Sequence, residues 1–182
     1  MSSNVLCLLF ACTAPPRPDE STPIMNPRPD DAFDGDTTER LVIRRFRAED
    51  AATLAAYRSD PAVARYQSWD IPLSHAQAQS FIETLETADP DTPGEWFQFA
   101  LVEASTGVHI GDVAAGVDAD DPRLATIGVT LATSAQGRGY AGDAVAWLLD
   151  YLFLERQKHR VSADCDARNT TVGSSRSLII SG

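Results

Sequence analysis

Hydrophobic and polar positions between residues 38 and 166 follow two periods, and each period predicts one type of element. Alternating or β-branched apolar runs predict strands. These runs are residues 40–46, 95–116 (a hairpin around a Ser-Thr-Gly turn), 124–132 and 160–166. Apolar residues at helical spacing predict helices. The predicted helices are residues 48–60, which Pro61 ends, 74–88, which Ser74 caps, and 139–156.

The helix predicted over 139–156 has the clearest pattern. Its apolar residues recur every three or four positions and form one face. They are Ala141, Ala144, Val145, Leu148, Leu149, Leu152 and Phe153. With strands 124–132 and 160–166 this helix makes a β-α-β unit. The N–H groups at the start of such a helix, together with its dipole, form a site for an anion.

The first 37 residues differ from the rest of the chain. A short apolar run, NVLCLLFAC, precedes a segment rich in proline and aspartate, which predicts a disordered extension over residues 1–37. The run has no lysine or arginine before it and is too short to span a bilayer, so we expect neither targeting nor a membrane anchor. Residues 38–182 are expected to form one domain.

Charge and residue counts exclude several functions. The formal net charge of -11 argues against nucleic-acid binding and suits a cationic partner such as an amine, although solubility alone would also account for it. Lys158 is the only lysine and is remote from the glycines, which excludes a P-loop. The three histidines and three cysteines lack metal-ligand or disulfide spacing, so we expect no metal and a reducing, cytoplasmic location.

The stretch TSAQGRGYAGDA fits two cofactor motifs. Gly137, Gly139 and Gly142 spell the G-x-G-x-x-G of dinucleotide-binding proteins. Gln136, Gly139 and Ala141 spell the Q-x-x-G-x-A of acetyl-CoA-dependent acyltransferases. Both motifs place a pyrophosphate at a helix N-terminus, where glycines let the backbone approach closely.

Three features weigh between the two motifs. Four residues separate strand 124–132 from Gly137, whereas the first glycine of a dinucleotide fold follows its strand directly. Only 16 residues follow Asp166, too few for the further β-α units of that fold. However, Asp164 and Asp166 lie about 20 residues past the loop, where that fold places its ribose-binding acid. A dinucleotide therefore remains the second interpretation.

The order of elements resembles the GNAT superfamily of N-acetyltransferases. Four segments carry the resemblance: TERLVIRRFRAEDAATLAAYRSDPAVARY (38–66), TGVHIGDV (106–113), IGVTLATSAQGRGYAGDAVAWLLDYLF (127–153) and DARN (166–169). The first two are similar to the branch that acetylates N-terminal amines of ribosomal proteins. The resemblance covers about residues 38–169. It implies a mixed α/β fold with α+β character, in which helices flank a central mixed sheet.

The resemblance also implies acetyl-CoA as the co-substrate. Backbone groups of the strand at Val129 and Leu131 would pair with the pantetheine arm, and the loop N–H groups would hold the pyrophosphate. Polar side chains around the loop and one later asparagine would add contacts. The implied cofactor-binding residues are Val129, Leu131, Gln136, Gly137, Arg138, Gly139, Tyr140, Ala141 and Asn169.

No catalytic acid or base is assigned. This branch often carries a glutamate two residues before the strand glycine, where this chain has Thr126. Glu103 and Asp112 on the hairpin are candidate replacements, although exposed hairpin acids are usually only solvated. The tyrosine acid that many members carry after DARN is absent, since Tyr151 is the last tyrosine. Direct transfer needs no covalent intermediate, so Cys165 is expected to be a buried strand residue.

The C-terminal segment departs from the family pattern. After DARN it predicts neither the last helix nor the last two strands of the fold, so we expect the domain to be incomplete after about residue 169 and its sheet to keep an open edge. A truncated or frameshifted gene product would explain this. Three functions follow in order: an N-acetyltransferase acting on a primary amine by direct attack, an inert remnant that at most binds CoA, and a dinucleotide-binding protein. The sequence specifies neither the acceptor nor the oligomeric state.

Overall fold

The computed structural model describes residues 35–67, 69–164 and 177–181, which form one seven-stranded sheet whose strand order follows the chain. The strands are β1 (Asp36–Thr37), β2 (Leu41–Arg44), β3 (Trp96–Glu103), β4 (His109–Val117), β5 (Leu124–Leu131), β6 (Arg160–Asp164) and β7 (Ser177–Ser181). Neighbouring strands pair antiparallel except β5 and β6, which are parallel. The sheet is mixed, as predicted, and differs from the parallel sheet of dinucleotide-binding folds.

The predicted helices are present with small changes at their ends. They are α1 (Ala51–Ser59), the short α2 (Pro61–Ala64), α3 (His75–Glu86) and α4 (Tyr140–Asp150). Turns of 3-10 helix cover Ala48–Asp50 and Thr133–Ala135, and a π-helical turn, Tyr151–Glu155, continues α4. Since α4 joins the parallel β5 and β6, the predicted β-α-β unit is confirmed. None of the described helices combines the length and apolar character needed to cross a bilayer.

Helix ends follow the capping residues of the sequence. Ser74 caps α3: the Gln77 N–H donates to its hydroxyl oxygen at 3.2 Å, while Gln77 Oε1 accepts from the Ser74 N–H at 2.9 Å. Pro61 ends α1 as predicted, but it also begins α2, because a proline without an N–H fits the first helical position. Asp60 caps this helix by accepting from the Ala62 N–H at 2.8 Å.

Two strands differ from the sequence-based expectation. β1 lies inside the segment expected to be disordered, where it pairs with β2 and Asp36 accepts from Trp147 Nε1 at 2.9 Å. β7 corrects the expectation of an open edge at β6, because it pairs antiparallel along the whole of β6. A free strand edge favours such pairing, and a five-residue segment is too short to show a clear strand pattern. Residues 1–34 lie outside the described residues.

The helices pack on opposite faces of the sheet. Phe99 on β3 lies opposite Val113 on β4 and contacts Trp147 of α4, with ring centroids 5.3 Å apart. The next residue of β4, Asp112, points to the other face, where Tyr57 of α1 contacts it. The predicted apolar face of α4 is confirmed, since all its members are buried or packed against the core. One face of the sheet thus carries α4, and the other carries α1.

Candidate functional site

The loop between β5 and α4 presents a row of free backbone N–H groups. Gly137 (φ 73°) and Gly139 (φ 85°) adopt the left-handed conformation that favours glycine. Within the described residues, the N–H groups of residues 137–141 donate to no acceptor, whereas those of Gly142 and Asp143 donate to the Gly139 carbonyl at 3.0 and 3.3 Å. Free donors at the positive end of an 11-residue helix make a site for an anion.

β5 carries a second set of free backbone groups next to this loop. Ala132 N–H donates to the Ile110 carbonyl at 2.9 Å, and in an antiparallel ladder such bonds recur at every second residue. Val129 and Leu131, at odd positions, therefore direct their backbone groups away from β4. β6 pairs with β5 only as far as Ile127, so the described chain leaves this edge uncovered beyond that residue. Both side chains are buried in the core, which leaves only backbone for a ligand.

Gln136 fixes the loop to the end of β5. Its Nε2 donates to the Leu131 carbonyl at 2.9 Å. The motif predicts a cofactor contact for this side chain, whereas here it joins two backbone segments of the site. Thr133 anchors the other side of the turn, because its hydroxyl donates to Asp60 Oδ2 at 2.6 Å. The loop is therefore held to both the sheet and α2.

Glu103, the last residue of β3, binds the loop through its carboxylate. Arg138 Nη2 donates to Oε1 at 3.0 Å, the Tyr140 hydroxyl donates to the same oxygen, and the Thr106 hydroxyl donates to Oε2 at 2.6 Å. These hydrogen bonds, that from Thr106 first, hold the pKa of Glu103 below its usual range. The expectation of an exposed, solvated acid is wrong, because Glu103 is only 8% exposed.

Arg40 contacts the same loop and carries no sequence motif. Its Nη1 donates to the Arg138 carbonyl at 2.9 Å, and its Nε donates to Asp143 Oδ2 at 2.7 Å. The Arg40 and Arg138 guanidinium carbons lie 5.2 and 5.0 Å from the centroid of the Tyr140 ring. A Cβ at Gly139 would lie 2.9 Å from Arg40 Nη2, so this approach also requires glycine. Only the fold brings these positions together.

Asp112 lies under α1 and is not a hairpin acid in solvent. The Tyr57 hydroxyl donates to its Oδ2, and Arg58 Nη2 donates to the same oxygen at 3.3 Å. The Arg58 guanidinium carbon lies 4.9 and 5.1 Å from the ring centroids of Trp69 and Phe81. Burial, and next the charge of Asp112, raise the pKa of Tyr57. The expectation of an exposed acid is wrong here too, since Asp112 is 2% exposed and belongs to the core.

A cleft of about 170 Å³ lies where β5 and β6 separate, on the face opposite α4. Its lining includes Trp96, Asp118, Thr126, Arg160 and Ser162. Thr126 Oγ1 and Ser162 Oγ lie 3.1 Å apart within it. Two residues along β5, on the same face, a Cβ added to Gly128 would meet no described atom within 4 Å. The cleft therefore continues over open strand surface, and a threonine stands where the family pattern has a base.

The remaining chemical groups add no second site to the described part of the chain. No group of three or more His, Cys, Asp or Glu residues among the described residues could hold a metal ion. His109 is buried with Nε2 2.9 Å from the Gly111 carbonyl oxygen, and burial lowers its pKa. Asn169 and Cys165 lie outside the described residues.

Comparison with known proteins agrees with this architecture. Residues 40–174 match the family model for the acetyltransferase (GNAT) domain. The chain is similar to the uncharacterized N-acetyltransferase p20 of Bacillus licheniformis, with 31% identity over 133 residues that cover 73% of this chain and 74% of that protein. Among solved structures it is similar to a spermidine N-acetyltransferase of Vibrio cholerae in complex with CoA and spermine (TM-score 0.63, 17% identity, 74% and 76% covered). It is also similar to a ribosomal-protein-S5-alanine acetyltransferase of Vibrio fischeri (TM-score 0.59, 19% identity, 75% and 76% covered). At these identities the two structures show a shared fold.

Proposed function

Because the chain belongs to the GNAT family of acetyltransferases, we propose that it moves the acetyl group of acetyl-CoA to a primary amine of a protein N-terminus or a small molecule. One observation carries the proposal. The free N–H groups of residues 137–141 follow directly on the uncovered edge of β5 at Val129 and Leu131. The first set suits a pyrophosphate, and the second suits an extended arm that contains amides. CoA joins these two parts in one molecule.

The residues of the loop fit the co-substrate in charge as well as in hydrogen bonding. Arg138 adds a cation beside the free N–H groups, with 55% of its side chain exposed. Gly137, Gly139, Tyr140 and Ala141 contribute backbone donors. Gln136 acts by holding the loop to β5, and Asn169 is retained as a contact from its motif alone. When bound, acetyl-CoA supplies an acetyl group activated as a thioester.

Transfer requires a neutral amine and a place for one proton. The amine nitrogen attacks the thioester carbonyl carbon, the new C–N bond forms, and the C–S bond breaks with release of the CoA thiolate. A backbone N–H at the uncovered edge of β5 would stabilise the oxyanion. With Thr126 at the position of the family base, the proton of the amine passes to water or to the departing thiolate. We therefore expect a slow reaction that accelerates with pH as more amine becomes neutral.

The acceptor is proposed to carry positive charge and to approach through the cleft beside β5 and β6. The formal net charge of -11 attracts cations, and the cleft combines the Trp96 ring with the Asp118 carboxylate. The family relatives named for spermidine and for a ribosomal protein both act on amines, which supports this class of acceptor. Polyamines and peptides with a free N-terminus are the two groups to compare.

Transfer of labelled acetyl groups tests the proposed activity. The purified protein is incubated with labelled acetyl-CoA and a panel of polyamines and peptides with free N-termini. The matched controls are the same peptides with an acetylated N-terminus. We expect label on free amines only, at a rate that rises with pH. Absence of label on every amine, from protein that binds CoA, would reject the enzyme proposal.

That negative outcome defines the second candidate, a protein that binds CoA without transferring acetyl groups. The observation that favours it is Thr126, whose hydroxyl faces Ser162 and offers no base. The same titration and transfer experiments separate the two candidates, since both bind CoA and only the enzyme labels an amine.

A further inference from the structure

Glu103 contacts both residues that flank Gly139, the left-handed residue at the start of α4. Arg138 donates to its Oε1 at 3.0 Å and the Tyr140 hydroxyl donates to the same atom. The other oxygen accepts from Thr106, which belongs to the β3–β4 turn. One buried carboxylate on the sheet thus holds the loop on both sides of its turn.

A carboxylate next to an anion site is unfavourable by itself, because two negative charges repel each other. Here three donors surround it, and Arg138 brings a full positive charge. Its lowered pKa means that Glu103 is ionised at neutral pH. The arrangement is therefore useful only if the geometry that the carboxylate imposes on the loop outweighs the repulsion.

We propose that Glu103 is a positioning residue for the cofactor loop: it fixes Arg138 and Tyr140, and so keeps the N–H groups of residues 137–141 free and convergent for the pyrophosphate. This inference rests on the proposed acetyl-CoA site. Glu103 itself touches no substrate, and the effect passes through the two loop residues.

Arg40 completes the positioning from the other side of the loop. It binds the carbonyl of Arg138, while the Tyr140 ring lies within 5.2 Å of the Arg40 guanidinium and 5.0 Å of that of Arg138. Cations this close to an aromatic ring attract it. The ring is thus held in place, and its hydroxyl remains aimed at Glu103.

Calorimetric titration with CoA tests the positioning role through three variants. Glu103→Ala should bind CoA roughly tenfold more weakly, in line with the loss of charge-assisted hydrogen bonds. Glu103→Gln should lose less, because its amide oxygen still accepts from Tyr140. Thr106→Val, the matched control, removes a hydrogen bond to Glu103 outside the loop and should change affinity by less than about twofold. Equal or tighter binding by both Glu103 variants would overturn the proposal, since the carboxylate would then only repel the anion.

A double-mutant comparison shows whether the effect passes through the loop. Tyr140→Phe should weaken CoA binding in the wild-type background but add nothing in Glu103→Ala, because the hydroxyl acts through the carboxylate. Fully additive losses would contradict this coupling.

Deuterium exchange separates this inference from the proposed function. The N–H groups of Gly142 and Asp143 mark the first turn of α4, and they should exchange faster in Glu103→Ala and Glu103→Gln than in the wild type. Exchange in the β3–β4 ladder should stay the same. If the wild type binds no CoA, the proposed function fails, and faster exchange confined to this turn still supports the positioning role. Unchanged exchange in both variants would refute it.

Discussion

Arg40 Nη1 donates to the carbonyl oxygen of Arg138 at 2.9 Å, and so joins the turn before β2 to a loop 98 residues further along the chain. The same guanidinium binds Asp143 in the first turn of α4. The candidate anion site is therefore supported by side chains from β2, β3 and α4, although the donors themselves are all backbone N–H groups. This separation between supporting side chains and backbone donors leads to the first two predictions.

Arg40→Ala should weaken CoA binding by roughly fivefold to tenfold, because the Arg138 carbonyl loses its donor and the loop its anchor. Asp143→Asn is the matched control. It removes the ion pair with Arg40 but leaves the bond to Arg138 in place, and a pair this exposed contributes little. Calorimetric titration with CoA checks both variants. Equal losses in the two would show that the ion pair, and not the bond to the loop, matters.

Gly139→Ala should lower the free energy of unfolding by about 1–2 kcal/mol, because the left-handed conformation is costly for alanine. The added Cβ would also press on Arg40, so CoA affinity should fall as well. Gly128→Ala is the control on the neighbouring strand, where a Cβ meets no described atom. It should leave stability within about 0.5 kcal/mol of the wild type. Urea denaturation measures both, and a stable Gly139→Ala variant would contradict the described turn.

Asp112→Asn should destabilise the fold by about 3 kcal/mol while leaving the CoA affinity of the folded protein unchanged. The reason is that Arg58 keeps a buried charge without its carboxylate partner. Tyr57→Phe removes only one hydrogen bond from the same cluster and should cost about 1 kcal/mol. Urea denaturation gives the stabilities. A normal stability together with slower acetyl transfer would instead assign Asp112 to the chemistry.

Stability should fall as pH drops below about 6.5 because of His109. Burial lowers its pKa in the folded state, so below the unfolded pKa the unfolded chain binds a proton that the folded chain does not. The stabilisation is complete above that pH, and the loss is at most about 1.4 kcal/mol per pH unit from this group. Urea denaturation from pH 7 to pH 5 measures the slope. His109→Phe, which keeps an aromatic ring beside Phe46 and Tyr57, should flatten it, and an unchanged slope would contradict the assignment.

Local patterns predicted most of the fold, because each depends on nearby residues. The capping residue Ser74 and the apolar spacing of α4 are examples of signals confined to a few turns. β7 has no such signal. Its pairing with β6 depends on a free edge created elsewhere, so a five-residue segment became a strand through tertiary contact.

The candidate site divides in the same way. The glycine loop and the backbone positions at Val129 and Leu131 follow from a motif and from its similarity to a family. The burial of Glu103 and Asp112 does not, because a hairpin alone exposes acids at such positions and only the packing of α4 and α1 covers them. Arg40 was equally hidden, since an arginine at the start of a strand is ordinarily a solvated surface residue.

The most direct test of the central claim is calorimetric titration of the purified 182-residue chain with CoA and, separately, with NAD. We expect saturable binding of CoA with one site per chain and no binding of NAD. Binding of NAD, or binding of neither ligand by folded protein, would contradict the assignment of the β5–α4 loop as an acetyl-CoA site.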